Sequence, residues 1–278
     1  MGTMLHASGL PMDTCFDELN LTRPELVLAI HREYGQAGAE ILETNTFGAN
    51  SYKLAAHGLE ANLEAIVVAA VGLARQAADS VNGIRVAGSL GPLGVRLAPY
   101  GRVRPEQAAL AYRRSITALV EAGVDLLVFE THTDVRELVL AVETARRQCD
   151  LPILASMTYT RDDRSLLGDR PQHVVAALAS AGADVIGANC SGGPAQLLRI
   201  LEDMRRGPVQ LPLAVMPNAG WPERRGGRIW YAATPEYFGD YATQFRALGA
   251  AVVGGCCGTT PEHVAAMRRA LDRPAPAP

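Results

Sequence analysis

The sequence predicts an α/β fold, a TIM (β/α)8-type barrel, and three observations carry that prediction. Short apolar runs recur at intervals of roughly 27 to 43 residues, close to the ~30 residues of one βα unit. Those runs are continuous rather than alternating, as expected for parallel strands covered on both faces. Glycine marks the step from helix to strand in Ala37-Gly38-Ala39-Glu40, Ala122-Gly123-Val124-Asp125, Ala181-Gly182-Ala183-Asp184 and Leu248-Gly249-Ala250-Ala251. Just past a helix end glycine takes the left-handed backbone at little cost, which suits a tight turn into a strand.

In order along the chain, the strands are expected at Ile41-Leu42, Ile84 to Ala87, Leu126 to Phe129, Ile153 to Ser156, Val185-Ile186, Leu213 to Met216 and Val252-Val253. Helices lie between them. Thr22 and Glu25 have the spacing of a capping box, ahead of Leu26, Val27, Ile30 and Tyr34 on one face. Asp134 and Glu137 repeat that spacing before Leu138, Ala141, Val142 and Ala145. Thr234-Pro235 and Thr260-Pro261 place proline at the first helical position behind a threonine. Seven strands result where a closed barrel takes eight, and the one without a counterpart is the first. One domain is expected over residues 1–272, followed by a Pro/Ala tail over 273–278.

Composition narrows the function. The 278 residues carry 26 Lys+Arg against 29 Asp+Glu, a net charge of −3, and 48% are hydrophobic. No basic surplus exists to neutralise phosphates, so nucleic acid is not an expected partner. No uninterrupted apolar run reaches the roughly 18 residues of a membrane span, and no secretory signal opens the chain. Five cysteines are an odd number that suits no disulfide framework, so a reducing, cytoplasmic setting is expected.

Three of those cysteines stand where chemistry is done. Cys190 closes the run that begins at Val185, and Cys256 and Cys257 follow Ala251-Val252-Val253-Gly254-Gly255. The C-terminal ends of parallel barrel strands carry the active site. Adjacent cysteines in a regular strand would face opposite ways, but Gly254-Gly255 can break the strand and turn both toward one point. Three thiolates suit Zn2+ and leave a tetrahedral position open. The competing reading is that all three are core cysteines; glycines and threonines at a strand exit make a poor core. Cys15 and Cys149 are read as structural.

The segments Glu43-Thr44-Asn45-Thr46-Phe47, Phe129-Glu130-Thr131, Gly187-Ala188-Asn189-Cys190 and Gly254-Gly255-Cys256-Cys257-Gly258-Thr259 together resemble the zinc-dependent homocysteine S-methyltransferases. That family takes in betaine–homocysteine methyltransferase and the homocysteine-binding module of cobalamin-dependent methionine synthase. Pro217-Asn218-Ala219-Gly220 and Tyr231 to Tyr237 look closest to the branch fused to methylenetetrahydrofolate reductase. The resemblance implies methyl transfer to the homocysteine thiol, with methionine as product. It implies Cys190, Cys256 and Cys257 as zinc ligands, Glu130 as receiver of the substrate ammonium, and Thr44 and Asn189 as polar groups lining the pocket. The family's Asp-Gly pair, which precedes the Met-Gly-Thr matched by Met1-Gly2-Thr3, has no counterpart here.

The methyl donor is left open among S-methylmethionine, betaine, methylfolate (through a partner or fused domain) and a corrinoid partner. The late aromatics Trp221, Trp230, Tyr231, Tyr237, Phe238 and Tyr241 are read first as helix packing or a subunit contact, with a cage for a quaternary donor as the second reading. His132 is given no role. Two other readings stand beside the transferase: a barrel hydrolase or lyase using Glu43 and Glu130, and a zinc-holding, catalytically impaired barrel or interaction module.

Overall fold

The computed structural model of the chain describes residues 1–273 apart from positions 82, 208, 226 and 227. The tail expected over 273–278 lies, beyond Arg273, outside the described residues. Seven strands form one parallel sheet in the order β1 (Ile41–Glu43), β2 (Arg85–Leu90), β3 (Leu126–His132), β4 (Ile153–Met157), β5 (Val185–Cys190), β6 (Leu213–Pro217) and β9 (Ala250–Val253). A separate hairpin, β7 (Glu223–Arg225) and β8 (Arg228–Trp230), is inserted between β6 and the next helix. Each sequence-predicted strand is present, and the sheet is a curled half-barrel.

Helices join the strands in the expected alternation: α3 (Pro24–Gln36), α5 (Leu63–Ala78), α6 (Pro105–Glu121), α7 (Val135–Arg146), α8 (Pro171–Ala181), α9 (Pro194–Arg205), α10 (Pro235–Ala247) and α11 (Pro261–Asp272). Shorter helices α1 (Gly2–Ala7), α2 (Leu19–Thr22) and α4 (Ser51–Ala55) fill the N-terminal part. The capping boxes read from sequence need two corrections. Thr22 ends α2 rather than capping α3, which instead begins at Pro24 behind Arg23. Asp134 does cap α7, accepting from the Arg136 amide at 2.9 Å, but Glu137 is drawn into a buried network instead.

Alternation along the strands divides the core. Ala87, Val128, Leu154, Ala214 and Met216 fill the concave side of the sheet, with Ile41, Leu126, Val185 and Val252 partly buried around them. The opposite faces, including Val86, Leu127, Phe129, Ile153, Ile186 and Val215, pack under the helices. Helix α5 with its preceding turn, Glu60–Ala78, is by length and composition alone apolar enough to cross a membrane. Here it is a packed helix: Leu63, Ile66, Val67, Ala70, Val71 and Ala74 are buried. Its apolarity reflects contact with neighbouring helices on both flanks.

A repeated staple closes the helix-to-strand end. All four punctuating glycines have positive φ, between 81° and 98°. Each turn meets an arginine from another helix. Arg75 donates to the Gly123 carbonyl at 2.8 Å, Arg146 to that of Gly182 at 2.7 Å, and Arg205 to that of Gly249. Arg268 packs its stem against Gly38 and pairs with Glu40 at 3.0 Å. The turn aspartates finish two of these staples: Asp125 accepts the Val86 amide at 2.7 Å and Asp184 the Ile153 amide at 2.8 Å. These bonds satisfy turn carbonyls that a helix end leaves free, and they leave the opposite rim for chemistry.

Candidate metal centre and active site

At that opposite rim the chain leaves regular geometry. Cys190 and Ser191 both have positive φ, 56° and 54°, at the end of β5. Thr131, just after Glu130 in β3, has φ 61°, an outlying conformation for a β-branched residue. A register shift between Phe129 and His132 accompanies it. Strain of this kind persists where the surroundings over-determine it, and it gathers at functional sites.

The sulfurs of Cys190, Cys256 and Cys257 all lie within 4.8 Å of one another, and those of Cys190 and Cys257 are 3.9 Å apart. Three sulfurs at about 2.3 Å from one tetrahedral ion would stand about 3.8 Å apart, so this donor set fits a thiophilic metal. Strand β9 ends at Val253, and beyond it the Gly254 and Cys256 amides still donate to the Val215 and Pro217 carbonyls, at 2.9 and 2.8 Å. Gly255 packs against Thr259, where a methyl group would overlap the threonine side chain. Gly258, at φ 79°, is pressed against the Tyr231 ring.

Two asparagines hold this loop to the sheet. Asn218 donates to the Ser191 carbonyl at 3.1 Å and accepts the Cys257 amide at 2.9 Å, tying β5 to the Cys-Cys loop. Asn189 is fully buried. Its oxygen accepts the Thr131 amide at 2.8 Å, and its nitrogen donates to the Thr131 hydroxyl at 2.8 Å. The same nitrogen lies 3.8 Å from the Cys256 sulfur and 3.5 Å from Glu130 Oε2. Asn189 therefore connects the cysteine cluster to the strained end of β3.

That strain aims Glu130. Its Oε1 accepts the Ser89 hydroxyl at 2.7 Å. Thr44 lies behind it: its hydroxyl accepts the Ser89 amide at 3.1 Å and meets that of Thr46 at 2.7 Å. Thr44 thus has its hydroxyl engaged within the protein. Ser89, which orients Glu130, carried no signal in the sequence, and Asn218, which holds the Cys257 amide, stood there only within the segment Pro217-Asn218-Ala219-Gly220 with no role assigned to it.

Electrostatics separate a cysteine cluster from a carboxyl pair. Among themselves the sulfurs favour one thiolate: Cys257 is pulled down to about 3 by hydrogen bonds from Cys190 and Cys256. Cys256 is correspondingly pushed up by its bond with Cys190 and then by Cys257. Cys190 is pushed up to about 12, the lowering bond with Cys256 being outweighed by Cys257 and burial. Glu43 and Glu130 are both raised, first by burial; repulsion from Glu130 then helps take Glu43 to about 8. At neutral pH the pair accordingly carries a proton.

The remaining sequence candidates resolve differently. His132 is fully buried beside Tyr112, with Nε2 3.0 Å from the phenol oxygen. Tyr112 in turn donates to Glu137 at 2.8 Å, and Glu137 also accepts the Leu93 amide. Burial pulls His132 down to about 3, so it is neutral. The late aromatics are not one packing cluster: Phe238 is core, Tyr237 and Tyr241 stack with centroids 4.7 Å apart, and Trp221 and Tyr231 line a cavity that contains Cys190 and Cys257. Cys15 is buried and Cys149 packs against the core; neither belongs to the cluster.

A curled parallel sheet whose C-terminal rim gathers three sulfurs able to hold a metal ion, near the carboxyls of Glu43 and Glu130, defines the class: an α/β protein with a candidate metal centre at its rim. The chain belongs to the homocysteine S-methyltransferase family, which it matches over residues 1–271. It is 33% identical to methionine synthase of Mycobacterium tuberculosis and 32% identical to that of Mycobacterium leprae. Each alignment covers 98% of this chain and 24% of the relative, so the chain spans about a quarter of those proteins' length. The metallated crystal structure of the homocysteine methyltransferase MmuM from Escherichia coli superposes with a TM-score of 0.82 at 29% identity, covering 97% of this chain and 93% of that one. The TM-score to the apo form of MmuM is 0.74, with the same identity and coverage.

Two outcomes are expected. Replacing Asn189 by Ala leaves the Thr131 amide unpaired and costs about 2–3 kcal/mol in urea unfolding, with faster hydrogen exchange at Thr131. Because Glu43 binds its proton more tightly folded than unfolded, the native state loses stability as pH rises from about 4.5 to about 8. Glu43→Gln removes that loss: parent and variant have matching stability below that window, and above it the variant is the more stable.

Proposed function

We propose that residues 1–272 form a homocysteine-binding domain that transfers a methyl group to the homocysteine thiol and yields methionine. The observation that carries this reading is the convergence of the Cys190, Cys256 and Cys257 sulfurs. In this reading the sheet is a TIM (β/α)8 barrel short of one strand, and the ion is Zn2+, the metal best suited to three thiolates with one position open. A free thiol with a pKa near 8.5 is only about 3% ionised at pH 7. Zn2+ held by the three cysteines would supply a Lewis-acid position at which an added thiol is deprotonated at neutral pH.

The other residues bind and orient. Glu130 receives the substrate ammonium, held in place by Ser89 and by the Asn189–Thr131 bonds. The proton shared with Glu43 keeps this end of the pocket from holding two adjacent negative charges. Asn218 fixes the Cys257 backbone, and Tyr159, Trp221 and Tyr231 wall the cavity beside Cys190 and Cys257. The likeness to methionine synthases and to the homocysteine methyltransferase MmuM supports the same reading. A reducing, cytoplasmic setting goes with it, since the three thiols must stay reduced.

The test is metal analysis together with an assay for methionine. About one Zn2+ per chain is expected, and Cys256→Ser should lose most of the metal and at least about 100-fold in rate, as expected when a ligand is removed. Retained zinc and activity in that variant contradict the reading.

A further inference from the structure

Asn189 holds the β3 bulge from the concave side of the sheet, through the amide and hydroxyl of Thr131. A second set of bonds meets the same bulge from the helix side. Strand β3 is in register with β4 up to Phe129, which pairs with Ala155, and again at His132, which pairs with Met157. Glu130 and Thr131 therefore stand together opposite the single residue Ser156, the two-against-one count of a β-bulge. Where Glu130 points depends on how firmly both sides of that bulge are held.

His132 closes the bulge. Its carbonyl accepts the Thr158 amide at 2.7 Å. Its ring is buried beside those of Tyr112 and Phe129, with centroids 6.2 and 6.4 Å away. Nε2 lies 3.0 Å from the Tyr112 hydroxyl, which donates to Glu137 at 2.8 Å. The same oxygen of Glu137 accepts the Leu93 amide at 2.8 Å. Nδ1 is buried and unbonded, and the nearby Glu130 carbonyl favours a proton on the ring. The chain of bonds thus runs from the bulge to α6, to the first turn of α7 and to the loop after β2, and all four of its residues are buried. Buried networks of this kind rigidify what they join. A phenylalanine would fill the space of the imidazole, so what His132 adds there is the bond to Tyr112.

We propose that His132 is a positioning residue for methyl transfer: through Tyr112 and Glu137 it fixes the outer side of the β3 bulge and so sets the place of the Glu130 carboxyl. This rests on the methyltransferase reading, in which Glu130 receives the homocysteine ammonium, and deepens it. The effect is confined to one end of the substrate. Glu130 meets the ammonium before and during transfer alike, so a displaced Glu130 weakens binding without slowing the chemistry. A ligand that has the thiol but no amino group is indifferent to it.

The test compares the zinc-loaded parent with His132→Phe, His132→Gln and Tyr112→Phe, using whichever of S-methylmethionine, glycine betaine, methylfolate and methylcobalamin supports turnover. The competitor is 4-mercaptobutyrate, which keeps the thiol and carboxylate of homocysteine and lacks the amine. In His132→Phe and Tyr112→Phe the homocysteine KM should rise about tenfold, as for loss of one buried hydrogen bond, with kcat within about twofold of the parent. His132→Gln, whose amide can donate to the Tyr112 hydroxyl, should recover part of that loss. The double variant His132→Phe/Tyr112→Phe should be no worse than either single one, because the two residues act as a unit. The inhibition constant of 4-mercaptobutyrate and the zinc content should be the same throughout. If His132→Phe fails to fold, Tyr112→Phe carries the same comparison. A homocysteine KM that stays at the parent value, or a 4-mercaptobutyrate constant that rises in step with it, overturns the positioning role and leaves the methyltransferase reading standing. A parent that forms no methionine with any of the four donors overturns both.

Discussion

Everything at the rim depends on three sulfurs being held close enough together to bind one ion. A regular parallel strand cannot do this, because neighbouring side chains alternate across the sheet. The chain solves the problem at two places. Beyond β9 the backbone stays bonded to β6 through Cys256, the Gly254 and Cys256 amides donating to the Val215 and Pro217 carbonyls at 2.9 and 2.8 Å, and it brings both sulfurs together at Cys256-Cys257. At the end of β5 it enters the left-handed region at Cys190 and Ser191. Each such non-glycine residue costs on the order of 1 kcal/mol or more, and hydrogen bonds must offset it. Asn218 supplies two, and Ser191 supplies another by accepting the Tyr159 amide at 2.8 Å.

The same construction governs the carboxyl side of the pocket. Glu130 does not simply sit at a strand end; a bulge with Thr131 in the left-handed region re-aims it. Asn189 joins that bulge to the cysteine cluster, so the sulfurs and Glu130 belong to one hydrogen-bonded unit. The carboxyl pair beside it keeps a proton at neutral pH. The arginine staples act at the far end of the sheet, where they anchor the turns without crowding the mouth.

Much of this was legible in the sequence. The seven strands, their order and the glycine turns followed from apolar runs and helix ends, because a parallel sheet writes its burial directly into continuous apolar segments. The cysteines stood out because small, polar residues around Cys256-Cys257 cannot make a core. What stayed hidden was pairing across long separations. Nothing near Gly123, Gly182 or Gly249 announces that Arg75, Arg146 and Arg205 will reach those carbonyls. The positive φ at Thr131 is equally invisible, since threonine disfavours it and the Asn189 bonds that support it come from a residue 58 positions away. Glu137 looked like a capping residue because its spacing from Asp134 was right, yet burial beside Tyr112 and the Leu93 amide was worth more. The aromatic segment misled in the same way: proximity in sequence suggested one cluster, but the β7–β8 hairpin separates Trp221 from the helix that buries Phe238.

Membership of the homocysteine S-methyltransferase family and the fold shared with MmuM place these rim features in a lineage, while the chemistry rests on the sulfur cluster itself. The most direct measurement is X-ray absorption at the zinc edge of the zinc-loaded protein, before and after homocysteine is added. The account predicts three sulfur neighbours at about 2.3 Å with one lighter atom, becoming four sulfurs when homocysteine binds. A shell with fewer than three sulfurs, or one that homocysteine leaves unchanged, would contradict it.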